Sequence, residues 1–529
     1  MRWMTESRPT VIAPVAIRRR ASALSSAIAI VALVSLAAPA GAQPYPHFKT
    51  FTDHLAAIAS VADATERGAQ LTTLLNDLRA AGRIPFTEGD SVAFLWRGSA
   101  TGVSVPGDHS GWSANGQAMT KIGLSDVWMR VYRFPEAARI DYKFVVGSNW
   151  IMDPNNPHTQ MGGFGPNSEL RMPAWVFPTE TVRTPNVPSG TLSPNQTLAS
   201  TSLGYPVRYR VFTPFGYDGL ADLPVIYVTD GHEYLDDALG AVRIVMDNLV
   251  AEGRVPPAIV VFIDPRSVTS GTNQRQAQYV QNPKFADFVA LELAPAIDAA
   301  YRTRPHPEAR IILGTSLGGV FSLYLGLQHP TVFGRLAIQS PAFWVTESAQ
   351  YWSGPSLFQM AEWADPAPFR VYMSSGTIGD AAPEARRMRD ILLGRGWDLT
   401  YREVPEGHSW GNWRALIDEA AIALLSAAPV RVEPGVPATA AAARLEAWPN
   451  PSNRDVTFAW EARAAGDLAC FDLQGRLVAR AAAEAHHAGR VERTLRFDAS
   501  GTYLCRLSDG ATTPFVGRAA STRVVSVAR

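Results

Sequence analysis

Residues 310–327 read RIILGTSLGGVFSLYLGL. An apolar run is followed by a Gly-Thr-Ser-Leu-Gly-Gly turn and then by apolar residues at helical spacing. The first run has the length of a buried strand and the second that of a helix. A serine at such a junction either fills a tight turn or has its hydroxyl presented for chemistry. The flanking elements decide between the two.

Outward from this stretch, between residues 191 and 427, short apolar segments alternate with amphipathic ones. VRYRVFTPFGY, LPVIYVTDG, AIVVFIDP, LAIQSP, PFRVYMSSG and LTYREVP read as strands. DALGAVRIVMDNLVAEG, FADFVALELAPAIDAAY, PEARRMRDILLGRG and WRALIDEAAIALLSA read as helices. Continuously apolar strands between amphipathic helices predict a mostly parallel sheet covered on both faces. In that setting the turn around Ser316 is the Gly-x-Ser-x-Gly nucleophile elbow of an α/β-hydrolase. Glycines flank the serine because a strained backbone and a close strand-to-helix approach leave no room for side chains.

A serine hydroxyl needs a base, and this fold supplies its partners in the order serine, acid, histidine. His408, in VPEGHSWGNW after the last strand, is the expected base. His329 sits at a helix end, where a dipole partner is the simpler reading. His486 and His487 fall in the C-terminal domain. The acid is expected just past PFRVYMSSG, with Asp380 first and Glu384 second; an N-cap for the following helix is the alternative for Asp380. The oxyanion hole is expected from the N–H of Leu317 and one at Gly231 or His232. Trp344, Trp410 and Trp413 flank these loops; Trp344 and Trp410 are expected to line a slot for a flat ring, with Trp413 the first to assign to packing.

VIYVTDG, FIDP, LGTSLGGVFSLYLGLQHPTVFG, IQSPAFWV, EGHSWGNWR and, upstream, GGFGPNSELRMP are similar to the enterochelin esterase and feruloyl/acetyl-xylan esterase group, which includes esterase D and the mycolyltransferases. The resemblance spans most of residues 86–425. It implies a serine carboxylic ester hydrolase working through an acyl-enzyme on an aromatic or acetyl ester of a polysaccharide, or on a siderophore-type ester, with no cofactor. The alternatives are an acyltransferase of the same fold and a non-catalytic carbohydrate- or surface-binding protein. One departure stands out. The family's Arg-x-x-Glu reads RQAQY here, with Gln278 in place of the glutamate, which is expected to leave Arg275 without its usual partner. Arg275 and Arg266 are the cations available for a catecholate, and Arg275 is expected to contact substrate.

The 529 residues carry 48 Lys plus Arg and 48 Asp plus Glu, so no basic field points to nucleic acid or anionic membrane. Neither HExxH nor a histidine cluster marks a metal. Arg18-Arg19-Arg20, an Ala/Ser-rich apolar stretch and Ala40-Gly41-Ala42 have the parts of a secretory signal over 1–42. No later run offers about eighteen uninterrupted apolar residues, so no transmembrane segment is expected after cleavage. Residues 43–84 read as a helical lead-in. Short strands over 85–175 predict a β-sandwich, and GVSVPGDHSGW, VWMRVYRFP and YKFVVGSNWIMDPNNPH resemble the early-set immunoglobulin-like module of glycogen-branching enzymes and enterochelin-type esterases. That resemblance implies a domain that either binds carbohydrate or packs over a partner's active site; Trp112, Trp128 and Trp150 are candidates to stack on a sugar ring, with packing in the sandwich core as the alternative.

Residues 176–190 and 428–444 read as linkers around the hydrolase domain of 191–427. Residues 445–529 form a second β-rich region. AWPNPSNRDVTF, FDLQGRLV and DASGTYLCRLSDG resemble the C-terminal sorting domain of type IX secretion cargo, which implies contact with that machinery and a secreted or cell-surface location. Cys470 and Cys505, the two cysteines, are candidates to pair in an exported protein.

Overall fold

The computed structural model describes residues 47–425, apart from 365–368, and the strands between 446 and 527. The expected signal segment (1–42) and the 428–444 linker lie outside the described residues. The chain forms two compact units, 1–427 and 428–529.

In the first unit the alternating segments build one sheet. Its main strands are β1 (Pro206–Thr213), β2 (Val225–Val228), β3 (Ile259–Asp264), β4 (Arg310–Thr315), β5 (Arg335–Gln339), β6 (Arg370–Gly376) and β7 (Asp398–Val404). Their order is β1-β3-β2-β4-β5-β6-β7, with β1 antiparallel and the rest parallel. Two short strands, Thr191–Leu192 and Gln196–Ala199, pair antiparallel with β1. Because successive side chains of a strand point to opposite faces, β4 sends Ile312 to one core and Ile311 and Leu313 to the other. Helix Leu317–Gln328 covers the first face with Phe285 and Phe288, and Trp410, Trp413 and Leu424 cover the second. The strand order reverses at β2, and a crevice opens at such a point beyond the carboxyl ends of the strands.

Two expected helices differ in detail. The stretch from FADFVALELAPAIDAAY is helical from Pro283 to Ala300, but Phe288–Leu293 winds as a π-type turn. Pro295 has no N–H for the carbonyl four residues back, and its ring crowds that carbonyl, so the ladder shifts. The helix expected from Asp237 begins at Val242, after Ala241 at φ 52°.

The lead-in is two helices, Phe48–Ala59 and Ala64–Ala80, the second capped by Asp63, whose side chain accepts from the Glu66 N–H. Phe51, Leu55, Leu71, Leu74 and Leu78 pack on Phe86, Leu95 and Val127, so the lead-in shares a core with the strands that follow. Those strands form a four-stranded and two three-stranded antiparallel sheets. Phe94, Trp96, Ile140, Tyr142, Phe144 and Leu170 bring them together in one core. The 176–190 segment is tied down: Asn248 Nδ2 donates to the carbonyls of Glu180 and Val182, and Asp247 accepts from Ser189 Oγ at 2.7 Å and Gly190 N–H at 3.0 Å.

One contact joins the N-terminal sheets to the hydrolase domain through charge. Arg139, at 0% exposure, pairs with Asp141, with Glu169 at 2.6 Å, and at 3.8 Å with Glu406 from the loop after β7. Its Nη1 donates to Ser409 Oγ at 2.9 Å, and its backbone N–H to the Pro405 carbonyl. One guanidinium does not neutralise every nearby acid. Burial works against ionisation of Glu169, but Arg139 and Arg171 outweigh it and hold that carboxyl low. Burial pushes Glu406 up to about 7 against the pull of Arg139. The neighbouring Asp108 rises to about 8, first through burial and then through the charge of Asp141.

The second unit holds two antiparallel sheets, of three and four strands. Cys470 and Cys505 face each other across adjacent strands and form a disulfide with Cα atoms 4.0 Å apart.

The buried acids make stability pH-dependent with a definite sign. Between the unfolded carboxyl value of about 4 and the folded values near 7 and 8, the folded chain keeps protons that the unfolded chain releases. Unfolding free energy therefore falls as pH rises through that window. Urea titrations at about pH 5 and about pH 8 are expected to show lower stability at the higher pH, with a smaller difference in Glu406→Gln.

Candidate active site

Strand β4 ends at Thr315 and the helix starts at Leu317, so the whole reversal falls on Ser316. It adopts φ 58°, ψ −117°, a conformation that costs a non-glycine residue about 1–3 kcal/mol. The motif glycines have a different task. A Cβ on Gly314 would overlap the Gly318 carbonyl and the Thr229 hydroxyl, and one on Gly318 would overlap the same hydroxyl. They admit the close approach of strand, helix and the β2 loop, while the serine itself takes the strain.

His408 Nε2 lies 3.1 Å from Ser316 Oγ, and His408 Nδ1 lies 2.6 Å from Asp380 Oδ1. The structure places Asp380, not Glu384, against the imidazole. Glu384 lies one helical turn farther on, at the mouth of the cleft. Asp380 also accepts from Ser340 Oγ at 2.6 Å and from the N–H groups of Gly376 at 2.6 Å and Ala381 at 2.7 Å. Burial works against its ionisation, but the bonds from His408, Ser340 and Gly376 outweigh burial and hold its pKa below the usual carboxylate value. The N-cap alternative for Asp380 is met only in part: it receives Ala381 N–H while facing the histidine.

Asn412, on the helix Trp410–Ala415 that follows the histidine loop, donates to the Gly407 carbonyl at 2.9 Å and approaches Asp380 Oδ2 at 3.5 Å. Sequence reasoning missed Ser340 and Asn412. Their signals are a serine at the carboxyl end of β5 and a polar residue in the first turn of the helix that follows the histidine loop.

Leu317 opens its helix, and Gly231 and His232 open the short helix Gly231–Leu235. The first N–H groups of a helix have no partner within it, which leaves these free to face an anion. The His232 ring turns away: its Nδ1 is 3.8 Å from Asp264 Oδ1, and burial, aided by Arg266, lowers its pKa.

Arg275 departs from the expectation of a lost partner. Its guanidinium meets Asp230 twice, at 3.1 and 3.0 Å, where Asp230 sits at φ 48° in the turn before Gly231. Arg275 is thus paired without a carboxylate at position 278, and Gln278 donates to Tyr205 Oη at 3.3 Å. Arg275 lines the cleft and braces the β2 loop. Arg266 is likewise paired, with Asp264 at 2.9 and 2.7 Å. His329 bonds Asp287 at 3.0 Å, as a helix-end histidine.

Beside Ser316 opens a cavity of about 540 Å³, lined by Arg275, Gln276, Trp344, Tyr351, Glu384 and His408 among others. Trp344 is 48% exposed and meets Tyr351 edge-on at 5.4 Å. Trp410 does not line the cavity. It is 2% exposed and wedged between Tyr234 and Trp413. It opens the helix Trp410–Ala415 after Ser409, whose extended backbone (φ −147°, ψ 158°) separates it from His408, and it points into the core. Trp413 stands edge-on to the His408 ring at 4.9 Å.

With this geometry in place, residues 200–424 match the esterase family (putative esterase). Those residues form a carboxylic ester hydrolase. An uncharacterised Bacillus subtilis protein, YjcH, is 25% identical over 223 residues, covering 42% of this chain and 92% of its own. The iron(III) enterobactin esterase of Dickeya dadantii is 27% identical over 223 residues, 40% of this chain and 50% of its own. The crystal structure of a ferric enterobactin esterase from Salmonella typhimurium superposes with a TM-score of 0.53 at 21% identity, covering 63% of this chain and 93% of that one. That share exceeds residues 200–424, so the likeness in fold reaches beyond the hydrolase's family match. Among the described residues no cluster of His, Cys, Asp or Glu is arranged to hold a metal, and no helix is long and apolar enough to cross a membrane.

Two substitutions probe this arrangement. Ser340→Ala removes a hydrogen bond to a charged acceptor, so kcat is expected to fall about tenfold with KM little changed, measured on p-nitrophenyl acetate. Gly318→Ala forces a methyl onto Thr229 and is expected to lower stability by about 1–3 kcal/mol in urea titration.

Proposed function

We propose that this ester hydrolase is a secreted serine esterase acting through an acyl-enzyme on an aromatic or acetyl ester attached to a neutral polysaccharide. The 3.1 Å approach of Ser316 Oγ to His408 Nε2 carries the reading. His408 takes the serine proton as the hydroxyl attacks the ester carbonyl, and Asp380 holds the ring with its Nδ1–H toward the carboxylate and stabilises the imidazolium. The N–H groups of Leu317 and of Gly231 or His232 receive the charge on the carbonyl oxygen. The imidazolium then protonates the departing alcohol, and a water activated by the same ring releases the acid.

For the acyl group, the exposed Trp344 and the adjacent Tyr351 offer a ring slot beside the serine. A siderophore-type ester is the second reading, favoured by the similarity to enterobactin esterases. The charge of the cleft supports it less. Arg275 and Arg266 are each paired with an aspartate, and Glu384 adds an acid at the mouth, so a polyanionic ferric catecholate would meet little uncompensated positive charge. The signal-like residues 1–42 and the resemblance of 445–529 to a sorting domain support export by the type IX route. The Cys470–Cys505 disulfide suits an oxidising compartment.

A panel of p-nitrophenyl acetate, methyl ferulate, acetylated xylan and a ferric catecholate ester tests the proposal. Methyl ferulate or acetylated xylan is expected to be the best substrate, and Ser316→Ala to lose at least about 10³-fold in kcat. Highest kcat/KM on the catecholate would favour the siderophore reading. Unchanged turnover in Ser316→Ala would remove the acyl-enzyme.

A further inference from the structure

Asp108 lies in the N-terminal module, in the turn GDHS, yet it reaches both loops that carry the partners of Ser316. A Cβ on Gly379, the residue before Asp380, would overlap the Asp108 carbonyl. A Cβ on Gly407, the residue before His408, would overlap the Asp108 carboxyl group. Gly379 also holds φ +65°, which admits glycine readily and other residues with strain. One residue is therefore in contact with the approach to the acid and the approach to the base at once.

We propose that Asp108 is a positioning residue: a wedge from the N-terminal module that sets the separation of the Gly379–Asp380 and Gly407–His408 loops, so that the module completes the active site. The inference rests on Asp380 and His408 being the acid and base. The wedge is itself fixed. Its Oδ2 accepts from the Asp141 N–H at 2.8 Å and its Oδ1 from Trp112 Nε1 at 3.1 Å. Gly107 before it packs so closely on Asp141 and Tyr142 that no Cβ would fit. Farther along the base loop, Arg139 grips Ser409 and closes on Gly411, where a Cβ would overlap the guanidinium. The two loops are joined directly as well, by Ile378 N–H to the Glu406 carbonyl at 3.1 Å.

Asp108 is 2% exposed and does not line the cleft, so it acts through its neighbours and not on substrate. Burial and the charge of Asp141 raise its carboxyl; asparagine keeps its size, but both carboxyl oxygens accept from N–H donors, so the amide NH2 would face one of them.

The test uses the full chain and an ester the wild type hydrolyses. Asp108→Asn, which keeps the volume of the wedge, is expected to lose less kcat than Asp108→Ala. Asp108→Ala is expected to lower kcat about tenfold or more with KM nearly unchanged, since small misplacements of reacting groups carry large losses. Gly407→Ala puts a methyl where the Asp108 carboxyl stands and is expected to lose as much. The pair Gly407→Ala with Asp108→Gly removes the overlap and is expected to recover a large part of that loss, which general destabilisation would not do. If Asp108→Ala does not fold, the Gly407 pair decides alone. Wild-type kcat in Gly407→Ala, or no recovery in the pair, overturns the wedge. Fluorophosphonate labelling separates the two readings: labelling lost in Ser316→Ala and in His408→Ala upholds the underlying machinery, whatever the Asp108 variants do.

Discussion

Arg139 is a buried cation whose acidic neighbours come from distant parts of the chain. Asp141 and Glu169 belong to the N-terminal sheets, and Glu406 to the loop that follows the last strand of the hydrolase sheet. A guanidinium removed from water is tolerated only where its donors are met, and taking away one partner of such a group costs about 3–5 kcal/mol. The fold answers this demand by pressing the module's sheets against the 405–411 segment. His408 is held in that segment, so a constraint that arises from desolvating one charge also fixes where an imidazole stands.

From the hydrolase side the same segment is tied by hydrogen bonds of ordinary strength. Asn412 holds the Gly407 carbonyl, Ile378 donates to Glu406, and Gln339 Nε2 donates to the Trp413 carbonyl at 2.9 Å. Tyr234 in turn donates to Gln339 at 2.8 Å, linking the β2 loop to β5. The serine is placed by close packing, with strand β4 and its helix approaching so that two glycines are required between them and Thr229, and by its backbone, whose N–H donates to the Gln339 carbonyl at 3.0 Å and whose carbonyl accepts from Ala342 N–H at 3.1 Å. The histidine is thus held by partners far off in the chain, and only the serine's turn leaves a short local motif.

That difference explains what was legible in the sequence. The alternating sheet, the elbow at Ser316 and the histidine after the last strand follow from periodicity and chain order, which are local. Asp380 was separable from Glu384 by its place just after β6, although both residues stand on one loop-to-helix junction. The partner of Arg275 was not legible. It comes from Asp230, 45 positions earlier, and a lost glutamate in a motif says nothing of a carboxylate arriving from another loop. Trp410 was misplaced because closeness in sequence to His408 was read as closeness in space. Between them Ser409 is extended and the helix begins only at Trp410, so the backbone changes direction within two residues. Asp108 and the Arg139 cluster gave no sign, since their contacts to the hydrolase domain cross more than 200 positions.

The 176–190 segment has the composition of a hinge, yet it is strapped to the helix Val242–Ala251 by Asn248 and Asp247. A connection held in this way does not let the parts it joins drift independently. In evolutionary terms the N-terminal module is then no interchangeable cassette. Recombination that swapped it would have to supply a matching guanidinium and a matching turn for the recipient, so the two parts should be inherited together.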